Sequence, residues 1–245
     1  MPSPLFDPAA RALHRARATR RGGIPFLGQR IVNELVERLH PIRRGFGTAL
    51  VTGCPPGLEQ ALSTIAERVS FAPSIEALAA VEPATLDLLL AIGELDLHDD
   101  LPILLKIAHS RLAPGGLMAG ALPGGNNLPL LRAALHAADS IDGRFAARTH
   151  PRIEPGALGG LLAAAGFKEA VVDIDRVTLR YSSLARLIGD LRDHGATNCL
   201  SQRPRTGLGR NRRAAAEAHF ARHGGEERIE LLHYAGWAGE PTHRA

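Results

Sequence analysis

The clearest pattern along the chain is a pair of short apolar runs, Leu86–Ile92 and residues 117–122, separated by a stretch with helical spacing. An unbroken apolar run of strand length belongs to a strand covered on both faces, the usual setting of a parallel sheet. Between the runs, Leu101, Leu104, Leu105, Ala108 and Leu112 recur at the interval of one helix face. Asp99 or Asp100 is placed to cap that helix and favour its dipole, and Gly115 and Gly116 after Pro114 are expected to stop it. Strand, helix and strand then form a right-handed crossover with the two strands as neighbours. The pattern predicts the centre of a doubly wound α/β sheet.

Upstream, Asp7 and Pro8 open a helix that Gly22 and Gly23 break, and Ile31, Leu35, Val36 and Leu39 mark a second helix ending at His40 and Pro41. The first strand, Thr48–Thr52, runs into Gly53, Cys54, Pro55, Pro56 and Gly57. Residues 58–69 are expected as the first sheet helix and residues 70–72 as the second strand. Residues 74–81 read as a helix or as the remnant of a third strand, which would make the Leu86 strand the fourth. Downstream, helices are expected over residues 128–138, 156–165, 183–191 and 213–222. A strand over residues 170–181, broken near Asp173 to Arg176, and a last strand over residues 229–237 complete the sheet. The expected organisation is N-terminal helices over residues 1–45, then one sheet domain over 46–245 with a helical elaboration at about 182–223.

With 245 residues and 45% hydrophobic content, the chain can bury a full α/β core. No apolar run approaches the roughly 20 residues of a membrane helix, and no secretory apolar region follows Met1. Two cysteines, Cys54 and Cys199, make neither a disulfide framework nor a zinc cage, so a reducing cytoplasm is the expected location. The net charge of +4 is unevenly spread. Residues 1–45 carry nine arginines against Asp7, Glu34 and Glu37, whereas residues 46–122 carry nine acids against Arg68, Lys106 and Arg111. The arginine-rich start has the composition of an organelle transit peptide and equally that of a mature amphipathic helix. Arg203, Arg205, Arg210, Arg212 and Arg213 crowd a second basic stretch, either a solvated face or a surface for an acidic partner. Aromatic residues at 4% leave few platforms for base stacking, so nucleic acid is not the expected partner.

A strand leading through glycines into a helix is where a nucleotide-like cofactor usually sits, although Gly53 and Gly57 alone also suit an ordinary turn. Glu94 and Asp96 follow the end of the Leu86 strand, where paired acids could hold a guanidinium, or stand solvated on a loop. His98 and Asp100 have the spacing of half a two-histidine, one-carboxylate iron site that would need His150 as well. The capping role of the aspartates argues against that, so no metal is expected and His98 is read as an edge residue. The chain has no G-x-S-x-G elbow, H-E-x-x-H pair or P-loop, which removes the common hydrolase and nucleotide triphosphatase readings.

Several stretches carry a family likeness: APGG at 113–116, AAGF at 164–167, LFDPAARALHRARA at the start, LHDDLP at 97–102 and GG-x-x-L-x-x-LR at 124–132. VDIDRVTLRY at 172–181, LIGDLRDHGATN at 187–198 and GWA at 236–238 are further matches. On these the chain resembles class I methyltransferases that use S-adenosylmethionine. More narrowly, it resembles the methyltransferase-fold complex I assembly factors, whose mitochondrial member is an arginine hydroxylase acting on a complex I subunit. The resemblance implies a Rossmann-like, mainly parallel sheet with an antiparallel last strand. It implies S-adenosylmethionine held by Thr52, Gly53, Cys54, Gly57 and Gly93, and a protein partner, for which a complex I subunit is the model. Glu94, Asp96 and His98 become the candidates for chemistry on a protein side chain, arginine among them. Three departures fall on the cofactor loop: Val51 where the family has an acid, Pro55 where it has a glycine, and Pro73 where an acid would grip the ribose. They imply a weakened or lost cofactor site, and with it the alternative of a non-catalytic assembly or binding factor.

Overall fold

The structure, a computed structural model, describes residues 4–23, 25–42 and 45–239; Arg43 and Arg44 of the basic N-terminal stretch lie outside them. Its framework is a six-stranded sheet in the order β2-β1-β3-β4-β6-β5. The strands are β1 (Thr48–Thr52), β2 (Arg68–Ala72), β3 (Leu86–Ile92), β4 (Leu112–Pro123), β5 (Lys168–Arg180) and β6 (Glu226–Ala238). The pairs β1 with β2, β1 with β3 and β3 with β4 are parallel, and β6 lies antiparallel to β4. The two apolar runs are therefore neighbours at the centre, as their pattern predicts. In β3 only Asp87 escapes full burial, and its carboxylate accepts hydrogen bonds at 3.0 Å from the Gly47 and Thr48 amides at the start of β1.

Two compact units make up the chain. The larger comprises residues 23–124, 153–175 and the segment from 231 onward. Here Leu89 and Ala91 of β3 pack with Leu104, Leu105 and Ala108 of α4 (Leu101–Arg111) and with Leu158 and Leu162 of α6 (Pro155–Ala164). Leu88, Leu90 and Ile92 point to the other face, against Val32, Leu35 and Leu39 of α2 (Phe26–Leu39). Asp100 caps α4 by accepting from the Ile103 amide at 3.2 Å. The helix ends at Arg111 and passes straight into β4, so Gly115 and Gly116 do not stop it. Between Leu86↔Leu112 and Leu88↔Leu117, β4 uses three more residues than β3, and the APGG segment forms that bulge. Gly116 is required there because a Cβ would meet the Ala113 and Leu86 carbonyls at 2.9 Å.

Three further expectations are corrected in this unit. The helix expected over 58–69 shrinks to α3 (Glu59–Leu62), followed by turns with Ser63 N to Gln60 O and Ile65 N to Leu62 O bonds. The Ser63 hydroxyl bonds the Gln60 carbonyl, a local alternative to helix, and the chain must return at once to pair Arg68 with Thr48. Residues 75–80 form a 3₁₀ helix, so the Leu86 strand is the third and β2 is an edge. Finally, β5 is continuous through Asp173 to Arg176. The charges there mark ion pairs with α2: Arg30 binds Asp175 bidentately at 2.7 and 3.0 Å, and Arg38 pairs with Asp173.

The smaller unit comprises the chain up to Gly22, Gly125–Arg152 and Arg176–Glu230. The N-terminal helix α1 (Pro8–Arg21) belongs here, while α2 belongs to the larger unit. Asp7 caps α1 through the Ala10 amide at 2.9 Å, and the segment before it bridges Phe6 to Leu200. α5 (Pro129–Asp139) starts after Leu128, whose φ is +56°, and lacks a local side-chain cap. The buried Glu227 supplies one from β6, accepting from the Leu130 and Leu131 amides at 3.1 and 2.7 Å. α7 (Leu184–Asp193) and α8 (Arg210–Arg222) complete the unit.

Candidate functional site

In the larger unit, the strand ends on the carboxyl side of β1 and β3 carry the residues expected to bind a cofactor. Thr52 is fully buried, its hydroxyl 3.4 Å from the Leu90 carbonyl. Gly53, Gly57 and Gly93 take φ values of +72°, +82° and +59°, the left-handed turns that glycine allows. Gly53 also permits a close approach, since a Cβ there would lie 2.1 Å from the Ile92 carbonyl and 2.8 Å from Glu94 Cγ. Half-buried Cys54 points its thiol at the Pro55 carbonyl. Pro55 fits a notch in α2 left by Gly28, where a Cβ would meet the Pro55 ring at 3.0 Å. Val51 is fully buried among Val32, Leu35, Leu88 and Leu90, so an acid at that position would have to leave a charge in an apolar core.

Glu94 is the least expected feature. Gly93, whose amide donates to the Ala121 carbonyl at 2.8 Å, turns the chain at the end of β3. The Glu94 side chain then folds back, fully buried, beside Gly53 and accepts a hydrogen bond from the Ile75 amide at 2.7 Å. Its carboxylate thus spans from the β1 loop to the segment following β2. Half-buried Asp96 lies in the short 3₁₀ turn that follows, and His98 Nε2 sits 3.2 Å from Glu76 Oε1. Sequence reading brought these three acids and bases to one loop, and the structure sets Glu94 on the Ile75 amide and His98 beside Glu76.

Tyr234 belongs to the same cluster and was not singled out from the sequence. Its hydroxyl donates to the Ala91 carbonyl at 2.8 Å and lies against Gly120, where a Cβ would meet the hydroxyl at 2.3 Å. Burial pushes the phenol well above its ordinary pKa, and the charges of Glu94 and Asp96 push it further. One of only two tyrosines in the chain, set in an apolar strand two residues before Gly236, is the signal that could have found it. His233, next to it, is buried as well, and burial followed by the Arg38 charge holds its pKa below the usual histidine value.

Among the described residues no group of three or more His, Cys, Asp or Glu is arranged to hold a metal. His150, the second histidine an iron site would need, accepts a hydrogen bond from the Cys199 amide at 2.9 Å, and burial lowers its pKa to about 3. The basic stretch in the smaller unit is largely neutralised. Arg203 pairs with Asp7 at 2.9 Å, Arg205 lies 3.6 Å from Asp7, Arg212 pairs with Asp142, and Arg213 pairs with Glu217. No described helix is long and apolar enough to cross a membrane.

This arrangement of the sheet is the fold of class I methyltransferases. The chain superposes on a candidate methyltransferase from Bacillus halodurans C-125 with a TM-score of 0.53, covering 83% of this chain and 98% of that one at 11% identity. By sequence it is similar to the mitochondrial arginine-hydroxylase NDUFAF5 of Danio rerio, 33% identical over 62% of this chain and 50% of the relative. The Rattus norvegicus protein of the same name is 31% identical over 71% and 57% respectively. A malonyl-[acyl-carrier protein] O-methyltransferase from Xylella fastidiosa is 35% identical over 57% of this chain and 46% of the relative. The chain spans about half the length of these curated relatives. No family model matches it. The chain thus has the class I methyltransferase fold and is similar in sequence to NDUFAF5.

Proposed function

We propose that this chain is a methyltransferase-fold assembly factor of the NDUFAF5 kind that works by holding a protein partner, a respiratory complex I subunit being the model, without methyl transfer. The observation that carries the reading is the Glu94 carboxylate, buried against Gly53 and bonded to the Ile75 amide. S-adenosylmethionine lying across the β1 and β2 strand ends would have to displace that carboxylate and break its bond. It would then meet a loop stiffened by Pro55, with no acid at Val51 or Pro73 to receive it. The residues present do not fit the cofactor, so no chemical step is derived through it. A reducing cytoplasm suits the two free cysteines, Cys54 and Cys199.

A second reading, methylation or another modification of a protein side chain such as arginine, is favoured by one feature. Gly53, Gly57 and Gly93 keep the turns that let a backbone approach a ligand, and the relatives are named as a hydroxylase and a methyltransferase. Calorimetric titration with S-adenosylmethionine separates the two. The proposed reading expects no binding tighter than about 0.1 mM in the natural chain, and tighter binding in Glu94→Ala, which vacates the crevice. Micromolar affinity in the natural chain would establish the second reading instead.

A further inference from the structure

β5 ends at Arg180, and the chain turns through Tyr181 and the capping Ser183 into α7. α7 buries Leu184 and Leu187 and turns Ala185, Arg186, Gly189, Asp190 and Asp193 to its other side. That side, with the end of β5 and Arg21, lines an open, solvent-facing cavity of about 520 Å³. Its volume falls in the range of small-ligand and peptide side-chain sites.

The charges around the cavity are not equally available. Asp190 accepts from the Tyr181 hydroxyl at 2.6 Å, and its other oxygen lies 3.8 Å from His194 Nδ1. Asp193 is paired with Arg21. Both carboxylates are thus committed. Arg186 forms an ion pair with no described residue, and Arg180 meets only the exposed Glu226, at 3.5 Å. Leu179, Ala185 and Gly189 line the same cavity and offer apolar surface. A Cβ on Gly189 would meet nothing within 4 Å, so the absence of a side chain there keeps the wall open.

From this we propose that the cavity between the end of β5 and α7 is the docking site for an acidic peptide segment of the protein partner, with Arg180 and Arg186 each engaging a carboxylate side chain. Guanidinium and carboxylate match as bidentate partners, and both arginines are exposed and so open to an incoming chain. A free inorganic anion would satisfy one arginine and leave the apolar strip bare. A peptide carrying acids on either side of an apolar residue covers all of it. The inference rests on the reading that the chain holds a protein partner, and the titration with S-adenosylmethionine tests that reading separately.

The test uses the full chain and a fluorescein-labelled peptide Glu-Leu-Glu-Glu-Leu-Glu, followed by anisotropy at physiological salt. Arg180→Ser with Arg186→Ser should weaken binding by about tenfold or more. Gly189→Leu should weaken it as much although it removes no charge, because it fills the cavity. That variant should keep its melting temperature, since leucine is the better helix former and the space is open. Unchanged binding in either variant overturns the site. Equal binding of a lysine-substituted peptide, or displacement of the labelled peptide by inorganic phosphate at matched ionic strength, overturns its assignment to an acidic peptide.

Discussion

The end of β3 and the cavity beside α7 use the same residue types to opposite effect. At the end of β3 a carboxylate turns inward to a backbone amide and packs beside Gly53. Beside α7 the carboxylates are again satisfied internally, but guanidiniums remain facing open space. The difference lies in what stands next to each glycine. A side chain at Gly53 would collide with the Ile92 carbonyl and Glu94, while one at Gly189 would meet nothing. The first glycine permits close packing and the second leaves a gap. Glycine content in a loop therefore says little about ligand binding until the neighbours are known.

The largest expected effect tests that contrast directly. Gly53→Ala places a methyl 2.1 Å from the Ile92 carbonyl at a φ of +72°. Overpacking and backbone strain together should cost about 2–4 kcal/mol. Gly189→Ala, a matched change in a helix, should be neutral or stabilise by up to about 1 kcal/mol. Urea denaturation of both variants supplies the numbers. A cost below about 1 kcal/mol for Gly53→Ala, no more than the left-handed backbone strain alone, would mean that the loop gives way readily and the comparison fails.

Acid sharpens the comparison from the side of the smaller unit. His150 accepts from the Cys199 amide, and burial holds its pKa at about 3. Because the unfolded histidine titrates near 6.5, the unfolded chain binds more protons between those values. The stability contributed is complete above about pH 6.5 and is lost as pH falls toward 3. The loss is at most about 1.4 kcal/mol per pH unit. His14 and His233, also held low by burial first, add losses of the same sign. Asp139 and Asp175, held low chiefly by hydrogen bonds from Arg148 and Arg30, add theirs only below about pH 4. His150→Gln, which keeps an acceptor for the Cys199 amide, should therefore flatten the acid limb between about pH 6 and 4. An unaltered limb in urea melts across that range would show that His150 is not buried in solution.

Much of this architecture was legible because the signals were redundant. The β3 and β4 runs had unbroken apolar patterns, α4 and α2 had helical apolar spacing with a cap or a terminating proline, and α1 had an Asp-Pro start and a Gly-Gly stop. The misreadings share a different cause. Asp173 and Asp175 looked like a strand break because a sequence does not show that Arg30 and Arg38 of α2 wait opposite them. The helix expected after Gly57 failed because its length was set by where β2 must begin pairing, at Arg68 with Thr48. At the candidate site, the sequence located the glycines and Glu94 but not their relation. A carboxylate after a strand reads as reactive or solvated. That it reaches back to Ile75 depends on a contact across two loops.

The smallest expected effect concerns the five arginines of the basic stretch, which a sequence reading treats alike. Arg203 is only 15% exposed and donates to the Leu200 carbonyl at 2.7 Å as well as to Asp7, tying the N-terminal segment to residues near Cys199. Arg203→Ser removes the guanidinium's bonds to that carbonyl and to Asp7, leaving the carbonyl only the residue 203 amide at 3.2 Å, and should cost on the order of 1–2 kcal/mol. Arg210, at the exposed start of α8, forms no ion pair among the described residues. Its cation stands at the helix end where the dipole is already positive, so Arg210→Ser should change stability by less than about 0.5 kcal/mol, if anything upward. Neither change should alter binding of the acidic peptide, because neither residue borders the α7 cavity. Urea melts and anisotropy on the two single variants check all four statements. A loss of peptide affinity in Arg210→Ser matching that of the Arg180 and Arg186 double variant would mean that diffuse positive charge attracts the peptide, and the distinction between a shaped cavity and a charged face would collapse.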